Sequence, residues 1–255
     1  MLEIETCYTM AKVPYITYDA LEEYGEALVR DFAPERLDAP GAVDVEGFVE
    51  YYLRLSVDYR QLCYSRNVLG MTAFNDGVVD VMSAETWQPE KIPVRTGTVI
   101  IDSSLTSKRN LPRLRFTMAH EGCHWLLHRR AFSEDNPFGP AGIYENRYLA
   151  AKEGRSDYSR SKKERSDIDI MERQADFLAA AILMPRPALR VAFSGYFKPY
   201  GEKPRRIVRG ASPTDDCHAI QLPGYIAEIF NVSKRAALIR LEKLTAIADR
   251  WNGYR

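Results

Sequence analysis

The sequence predicts an α+β protein in which a small, mainly antiparallel sheet packs against helices. Three observations support this fold class. Amphipathic helical patterns lie near both ends of the 255-residue chain, β-rich runs fill the region between about 56 and 102, and two apolar helical stretches follow them. A chain of this length can bury one substantial core or divide into two domains.

The N-terminal part of the chain shows two helical patterns with a break between them. Residues 17–32 repeat apolar side chains at helical spacing, with acidic residues early in the segment. Pro34 and Pro40 interrupt this pattern. A second helix is expected after Asp44, because its carboxylate suits an N-cap.

The next segment changes to the period of strands. Residues 56–62 alternate loosely, and two β-rich runs, 68–74 and 78–82, flank Asn75-Asp76-Gly77. Asp-Gly between such runs predicts a hairpin. Residues 98–102 form a further predicted strand. We therefore expect a sheet of about three or four strands before the central helix.

The central helix is predicted to follow Asn110, which suits an N-cap, with Pro112 in its first turn. It contains the motif His120-Glu121-x-x-His124. Because helix positions i and i+4 lie one above the other, both imidazoles can bind a single metal ion. Glu121 is rotated by about 100° from His120 and can accept a proton from metal-bound water. Zinc peptidases use this arrangement of ligands and base.

A catalytic zinc site needs a third protein ligand and an open position for water. A third histidine ten residues after His120 is excluded, because Arg130 occupies that position. Glu172 is the best candidate, on an apolar helix predicted over residues 170–184. Asp176 follows one turn later and can accept the outer N–H of a ligand histidine. Rival third ligands are Asp169, Glu164 and His218.

Other polar residues around the motif have open roles. The chain has only 4 histidines and three of them lie between 120 and 128, although a buried helix with incidental histidines is the alternative. His128 lies about 80° round the helix from His120 and is expected to support the site or the core rather than bind metal. Cys123 lies inside the motif, where a thiolate that reaches the zinc would make activity sensitive to mild oxidants. Candidates for stabilising a developing oxyanion are His218, Tyr144 and Tyr148.

The domain organisation follows from the breaks in these patterns. Residues 132–168 lack apolar periodicity and are predicted to be an inserted loop, either solvated or in contact with substrate. We predict a metallopeptidase domain over residues 1–197, which includes the N-terminal helices and this insertion. A linker and a C-terminal helical region are predicted over 198–255. Two helices are expected there, at 223–230 and 233–251.

Composition limits the compartment and the partners. The chain has 35 basic and 35 acidic residues, so bulk charge gives no indication of nucleic-acid binding. No apolar run approaches the roughly 20 residues needed to span a bilayer. The N-terminus lacks the basic and apolar regions of a signal peptide. We therefore expect a cytoplasmic protein without a membrane partner.

Two stretches, FTMAHEGCHWLLH and ERQADFLAAAILMP, resemble the ImmA/IrrE-type metallo-endopeptidases. The resemblance implies a zincin-like core with zinc as the cofactor. By position, His120, His124 and Glu172 match the family's zinc ligands, and Glu121 matches its catalytic base. The resemblance also implies a cytoplasmic enzyme that cleaves a helix-turn-helix transcriptional repressor in a mobile-element or stress response. Cys123 stands where the family usually has Gly, and the segment between the motif helices is longer here.

The alternative function is a binding module without catalysis. Its basis is a group of basic residues in the predicted C-terminal helices, Lys234, Arg235, Arg240 and Lys243. Such helices could dock a repressor or touch DNA, with the zinc site in a structural or sensory role. A salt-dependent affinity for DNA would favour this alternative, whereas Glu121 beside an open zinc position favours the enzyme.

Overall fold

The protein is a mixed α+β molecule, as the sequence predicts. The computed structural model describes residues 7–62, 68–137, 143–146 and 166–250, with only the backbone at 143–146. The helices are α1 (Tyr18–Phe32), α2 (Glu35–Asp38), α3 (Val45–Gly47), α4 (Leu111–His128), α5 (Asp167–Leu183), α6 (Arg186–Phe197), α7 (Pro213–Phe230) and α8 (Lys234–Lys243). The strands are β1 (Ser56–Arg60), β2 (Gly70–Ala73), β3 (Gly77–Met82), β4 (Pro89–Val94), β5 (Thr98–Asp102), β6 (Ile143–Asn146), β7 (Ile207–Arg209) and β8 (Ile247–Asp249).

The main sheet has four strands in the order β1-β5-β2-β6. Strand β1 is parallel to β5, whereas β2 is antiparallel to both β5 and β6. Helix α4 packs against β2 and β5. On β2, Thr72 and Gly70 face Glu121 of this helix, and the buried Val99 and Ile101 of β5 pair with them on the same face of the sheet. The two central strands therefore support the helix that carries the metal-binding motif.

The predicted hairpin around Asp76 is wrong. Strand β2 pairs with β5 and β6, whereas β3 pairs with β4 in a separate two-stranded sheet. The Asp76 carboxylate accepts hydrogen bonds from the backbone N–H and the hydroxyl of Thr96, at 2.7 and 2.9 Å. Neither Asp76 nor Gly77 has the positive φ that a two-residue type I′ turn requires. Asp76 thus anchors the turn before β5 instead of closing a hairpin.

Two described parts of the segment between the motif helices have tertiary contacts that the sequence did not indicate. Phe132 is buried and stacks on Phe74, with 4.2 Å between ring centroids. Strand β6 lies inside the predicted loop and adds to the sheet beside β2. Residues 138–142 and 147–165 of the predicted insertion lie outside the described residues.

The C-terminal elements differ from the prediction in two places. Helix α7 starts ten residues before Pro223 and continues through it. The Ser212 hydroxyl caps this helix by accepting from the N–H of Asp215 at 3.1 Å. Helix α8 ends at Lys243 rather than near residue 251, because Thr245 has a φ of 58°. The chain then forms β8, which runs parallel to β7.

The chain divides into two compact units that interleave in sequence. Unit 1 comprises Met1–Tyr24 and Asp44–Ala179, and unit 2 comprises Gly25–Val43 and Ala180–Arg255. The predicted domain boundary after residue 197 stays a prediction. Within the described parts of the chain, no single helix is long and apolar enough to cross a membrane. One pair of segments, Asp167–Leu183 and Arg186–Tyr200, reaches the required length and composition when joined, but the two are bent by 60°.

Candidate metal centre

Helix α4 carries the motif on a buried face. The helix starts after Asn110, as predicted, but the Asn110 side chain donates to the carbonyl of Ser104 at 2.8 Å and makes no capping bond. His120 is 1% exposed, and Glu121 and His124 are fully buried. The motif side chains are therefore held by packing, which limits their rotamers and fixes their directions.

Three side chains converge within unit 1. The Nε2 atoms of His120 and His124 lie 2.8 Å apart. The two carboxylate oxygens of Glu172 lie 3.5 Å from these nitrogens, one from each. All three ligand atoms fall within 4.8 Å of one another. The Glu172 side chain is 30% exposed, so the group is accessible from the side of α5. The structure thus brings together the three residues proposed from the sequence as ligands.

The chemistry of this group fits a divalent metal ion. Two imidazole nitrogens and a carboxylate oxygen are ligand types that zinc accepts at about 2.0–2.2 Å. Around a tetrahedral ion, such atoms lie about 3.3–3.5 Å apart. The two separations between Glu172 and the histidines, 3.5 Å each, agree with this value, whereas the two Nε2 atoms lie closer together, at 2.8 Å. Two imidazole lone pairs 2.8 Å apart, beside a carboxylate, repel one another unless a cation lies among them. The arrangement therefore requires a proton or a metal ion.

Protonation of His120 meets this requirement in the metal-free protein. Burial alone would lower the pKa of His120, but the nearby carboxylates of Asp176 and Glu172 outweigh it and raise that pKa to about 10. Burial would also raise the pKa of Glu172, but its contacts with His120 and His124 hold that pKa well below its usual range. A metal ion that binds here must displace the proton of His120.

Each histidine of the group has a neighbour on its outer nitrogen. Nδ1 of His120 lies 3.0 Å from a carboxylate oxygen of Asp176, although the angle is not that of a regular hydrogen bond. Nδ1 of His124 lies 3.0 Å from Nδ1 of His128. Such neighbours orient ligand histidines in metal sites. Asp176 and His128 therefore lie next to the outer nitrogens of the two histidines, and their supporting roles stay predictions.

A chain of contacts continues beyond His128 that the sequence did not indicate. Nε2 of His128 lies 3.0 Å from the side-chain oxygen of Gln174. The Gln174 amide nitrogen donates to the carbonyl of Pro14 at 2.6 Å. His128 is fully buried, and this burial, together with the charge of His124, lowers its pKa well below the usual value. His128 is therefore a neutral imidazole at neutral pH.

Strand β2 fixes the position of Glu121. The Thr72 hydroxyl donates to one Glu121 carboxylate oxygen at 2.6 Å. The other oxygen faces Gly70, where an added Cβ would lie only 2.6 Å from it. Sequence reasoning missed both residues, although a glycine inside a strand pattern is a known sign of close approach by another group.

Cys123 does not have the properties of a reactive thiol. It is fully buried. Burial, and then the charges of Asp176 and Glu121, raise the pKa of Cys123 well above its usual value. The thiol therefore stays protonated, and the structure gives no support to the hypothesis of a thiolate that responds to mild oxidants.

The rival candidates lie elsewhere or outside the described residues. His218 belongs to unit 2, where its ring nitrogens lie 3.0 Å from the Tyr196 hydroxyl and 3.4 Å from a carboxylate oxygen of Glu202. Asp169 is exposed in the first turn of α5, where its carboxylate accepts from the N–H of Ser166 at 3.2 Å. Glu164 and Tyr148 lie outside the described residues, as does the side chain of Tyr144.

The site combines two histidines at i and i+4 of one helix with a carboxylate from a later helix. His120, His124 and Glu172 could together hold a metal ion. The family model Peptidase_M78, described as the IrrE N-terminal-like domain, matches residues 86–242. The chain therefore belongs to this family, which confirms the resemblance seen in the sequence. No curated protein gives a significant match. The matched region contains α4 and α5 and so all three residues of the candidate centre.

Proposed function

We propose that this protein is a zinc-dependent endopeptidase with a zincin-like core. The convergence of His120, His124 and Glu172 on one point is the observation that carries the proposal. Glu121 adjoins this group in the helix and is held by β2. Membership of a metallopeptidase family supports the same function. Two histidines and one glutamate suit zinc better than magnesium or calcium, and three protein ligands leave the fourth position of a tetrahedral zinc ion for water.

The chain's own residues supply the acid–base chemistry. His120, His124 and Glu172 would hold the zinc ion, which would supply a Lewis acid able to polarise the scissile carbonyl and to lower the pKa of water to about 7. Glu121 accepts a proton from the attacking water and returns it to the leaving amine. Thr72 keeps the Glu121 carboxylate oriented through its hydrogen bond. His120 and His124 must act as neutral imidazoles, with their outer nitrogens towards Asp176 and His128.

A helix-turn-helix transcriptional repressor is the proposed substrate. The resemblance of the two motif helices to ImmA/IrrE-type enzymes supports this choice. The same resemblance is the basis for proposing a cytoplasmic reaction in a mobile-element or stress response. A repressor of this kind binds DNA, so its cleavage would change transcription without requiring the peptidase itself to contact DNA.

The first experiment measures the metal content of the purified protein by elemental mass spectrometry. About one zinc per chain is expected, with a sharp loss in Glu172→Ala. Asp169→Ala is the matched control, because it removes a carboxylate from the same helix outside the converging group. Retention of zinc by Glu172→Ala, or its loss in Asp169→Ala, would contradict the proposed ligand set.

The second experiment tests catalysis separately from metal binding. Purified protein is incubated with purified helix-turn-helix repressors as candidate substrates, and cleavage products are identified by mass spectrometry. Glu121→Gln is expected to keep its zinc and lose cleavage, because the amide cannot accept the proton of the attacking water. Full cleavage by this variant would rule out Glu121 as the base. A zinc-loaded protein that cleaves no repressor would refute the proposed substrate.

The alternative of a DNA-binding module loses part of its basis. Arg240 is 1% exposed and donates to the carbonyl of Met184 at 3.1 and 3.2 Å, so it does not contribute to a basic surface. Lys234 and Arg235 remain exposed on α8. DNA affinity that falls steeply with salt would restore this alternative.

A further inference from the structure

We propose that His128 and Gln174 are positioning residues that fix the tautomer of His124, with the carbonyl of Pro14 as their anchor. The chain of contacts runs from Pro14 through Gln174 and His128 to His124. It presents the Nε2 lone pair of His124 to the metal. This inference rests on the proposed function only in that His124 binds a metal ion through Nε2.

The anchor determines the orientation of the Gln174 amide. A backbone carbonyl can only accept hydrogen bonds, so the group 2.6 Å from the Pro14 oxygen must be the NH₂ of Gln174. The side-chain oxygen of Gln174 must then face His128, where it lies 3.0 Å from Nε2. An amide oxygen also only accepts. His128 therefore carries a hydrogen on Nε2.

The proton positions of the two rings follow from this. His128 is fully buried, and the partners of its two nitrogens among the described residues are the Gln174 oxygen and the His124 ring rather than a carboxylate, so a second hydrogen on the ring is unfavourable. With its hydrogen on Nε2, the ring has a lone pair on Nδ1. Nδ1 of His124 lies 3.0 Å from that lone pair and donates to it. Nε2 of His124 is then free of hydrogen, and it faces Nε2 of His120 at 2.8 Å and Glu172 at 3.5 Å. Two hydrogens cannot lie between the two Nδ1 atoms, so a hydrogen on both nitrogens of His128 would move the proton of His124 onto Nε2.

Burial makes this chain of contacts obligatory. His124 and His128 are fully buried, and Gln174 is 5% exposed. Water therefore does not replace a missing partner, and an unsatisfied polar group at any step costs free energy. The anchor lies 160 residues from Gln174 in sequence. The segment before α1 thus contributes to the metal centre without supplying a ligand.

The direct test is nuclear magnetic resonance of the whole chain labelled with ¹⁵N in histidine, in metal-free and zinc-loaded forms. Long-range ¹H–¹⁵N correlations distinguish the two neutral tautomers, and the chain has only 4 histidines to assign. We expect His124 to carry its hydrogen on Nδ1 and His128 on Nε2 in both forms. This measurement needs no substitution and no substrate.

Substitutions add a functional readout through zinc affinity, measured by competition with a chromogenic chelator. Gln174→Met and His128→Phe keep approximate shape but remove the polar contacts, and each should weaken zinc binding by about 10–100-fold. His128→Asn should recover most of that loss, because its amide oxygen can accept from Nδ1 of His124. Gln221→Met is the matched control, since Gln221 is exposed and contacts only tyrosine hydroxyls of unit 2 among the described hydrogen bonds. Its zinc affinity should equal that of the unaltered protein.

The outcomes separate this inference from the proposed function. A hydrogen on Nε2 of His124 in the metal-free protein would overturn the inference. Unchanged zinc affinity in both Gln174→Met and His128→Phe would also overturn it, as would equal losses in His128→Asn and His128→Phe. A protein that shows the expected tautomers and affinities but cleaves no peptide would refute the proposed enzyme and leave the positioning chain intact.

Discussion

Gly70→Ala is a sensitive test of how strand β2 supports the proposed base. A Cβ at this position would lie 2.6 Å from a carboxylate oxygen of Glu121 and 2.8 Å from a methyl carbon of Thr117. Ordinary contact begins at 3.4 Å, so the Glu121 oxygen must move by 3.4 minus 2.6, or 0.8 Å. Thr72 resists this movement, because it holds the same carboxylate through a hydrogen bond.

The expected result is a loss of catalysis without a loss of metal. A misplacement of about 1 Å in a catalytic group can reduce the rate by about 100-fold, so we expect kcat to fall by about 10–100-fold. Zinc content should stay near one per chain, because the nearest atoms to the new methyl group belong to Glu121 and Thr117. The assay is cleavage of a fluorescence-quenched peptide that the unaltered enzyme cleaves, with zinc content measured on the same samples.

The matched control is Gly224→Ala. A Cβ at Gly224 meets no atom within 4 Å, and the residue lies inside α7. This substitution should leave kcat unchanged and raise the free energy of unfolding by about 0.5–1 kcal/mol. Unfolding curves of both variants show whether either chain is folded at the assay temperature. Activity of Gly70→Ala within about twofold of the unaltered enzyme, with zinc bound, would refute the argument.

Three further predictions address other parts of the molecule. Zinc binding should release about one proton, because the pKa of His120 is raised to about 10, and the affinity for zinc should therefore rise with pH up to that value. Calorimetry in two buffers of different ionisation enthalpy measures the number of protons released, and a value of zero would contradict the prediction. Cys123 should resist a thiol reagent in the native protein while exposed Cys7 and Cys217 react; labelling of Cys123 in mapped peptides would show that it is accessible. Ser233→Ala should lower the free energy of unfolding by about 1 kcal/mol, because its hydroxyl caps α8; an unchanged urea midpoint would contradict this.

Several helices and strands could be predicted from the sequence because local residue patterns determine them. Residues 17–32 and 98–102 were predicted within one residue of α1 and β5, because apolar periodicity and β-branched runs act over a few neighbouring residues. The i, i+4 spacing of His120 and His124 places both imidazoles on one helix face whatever the rest of the chain does. Sequence reasoning therefore identified the converging residues, although their role as ligands remains a proposal.

The sequence analysis was wrong about one strand pairing and one helix start, for different reasons. Asp76 and Gly77 have the composition of a hairpin turn, yet Asp76 hydrogen-bonds to Thr96 and the adjacent strands join different sheets. Pro223 suggested the start of a helix, but the Ser212 cap starts α7 ten residues earlier and the helix tolerates the proline. In the first case a partner outside the local window, Thr96, determined the result. The Ser212 cap acts over only three residues and was a local signal that the sequence analysis missed.

The sequence by itself determined which side chains can bind metal, because ligand type and helical spacing are local properties. The tertiary structure alone decided how those side chains are held. Gly70 and Thr72 meet Glu121 across about 50 residues of sequence, and Gln174 bonds to Pro14 across 160. Hydrogen bonds and close approaches between residues that are remote in sequence leave no periodic pattern in the chain. They can therefore be identified only in the folded structure, where the partners lie together.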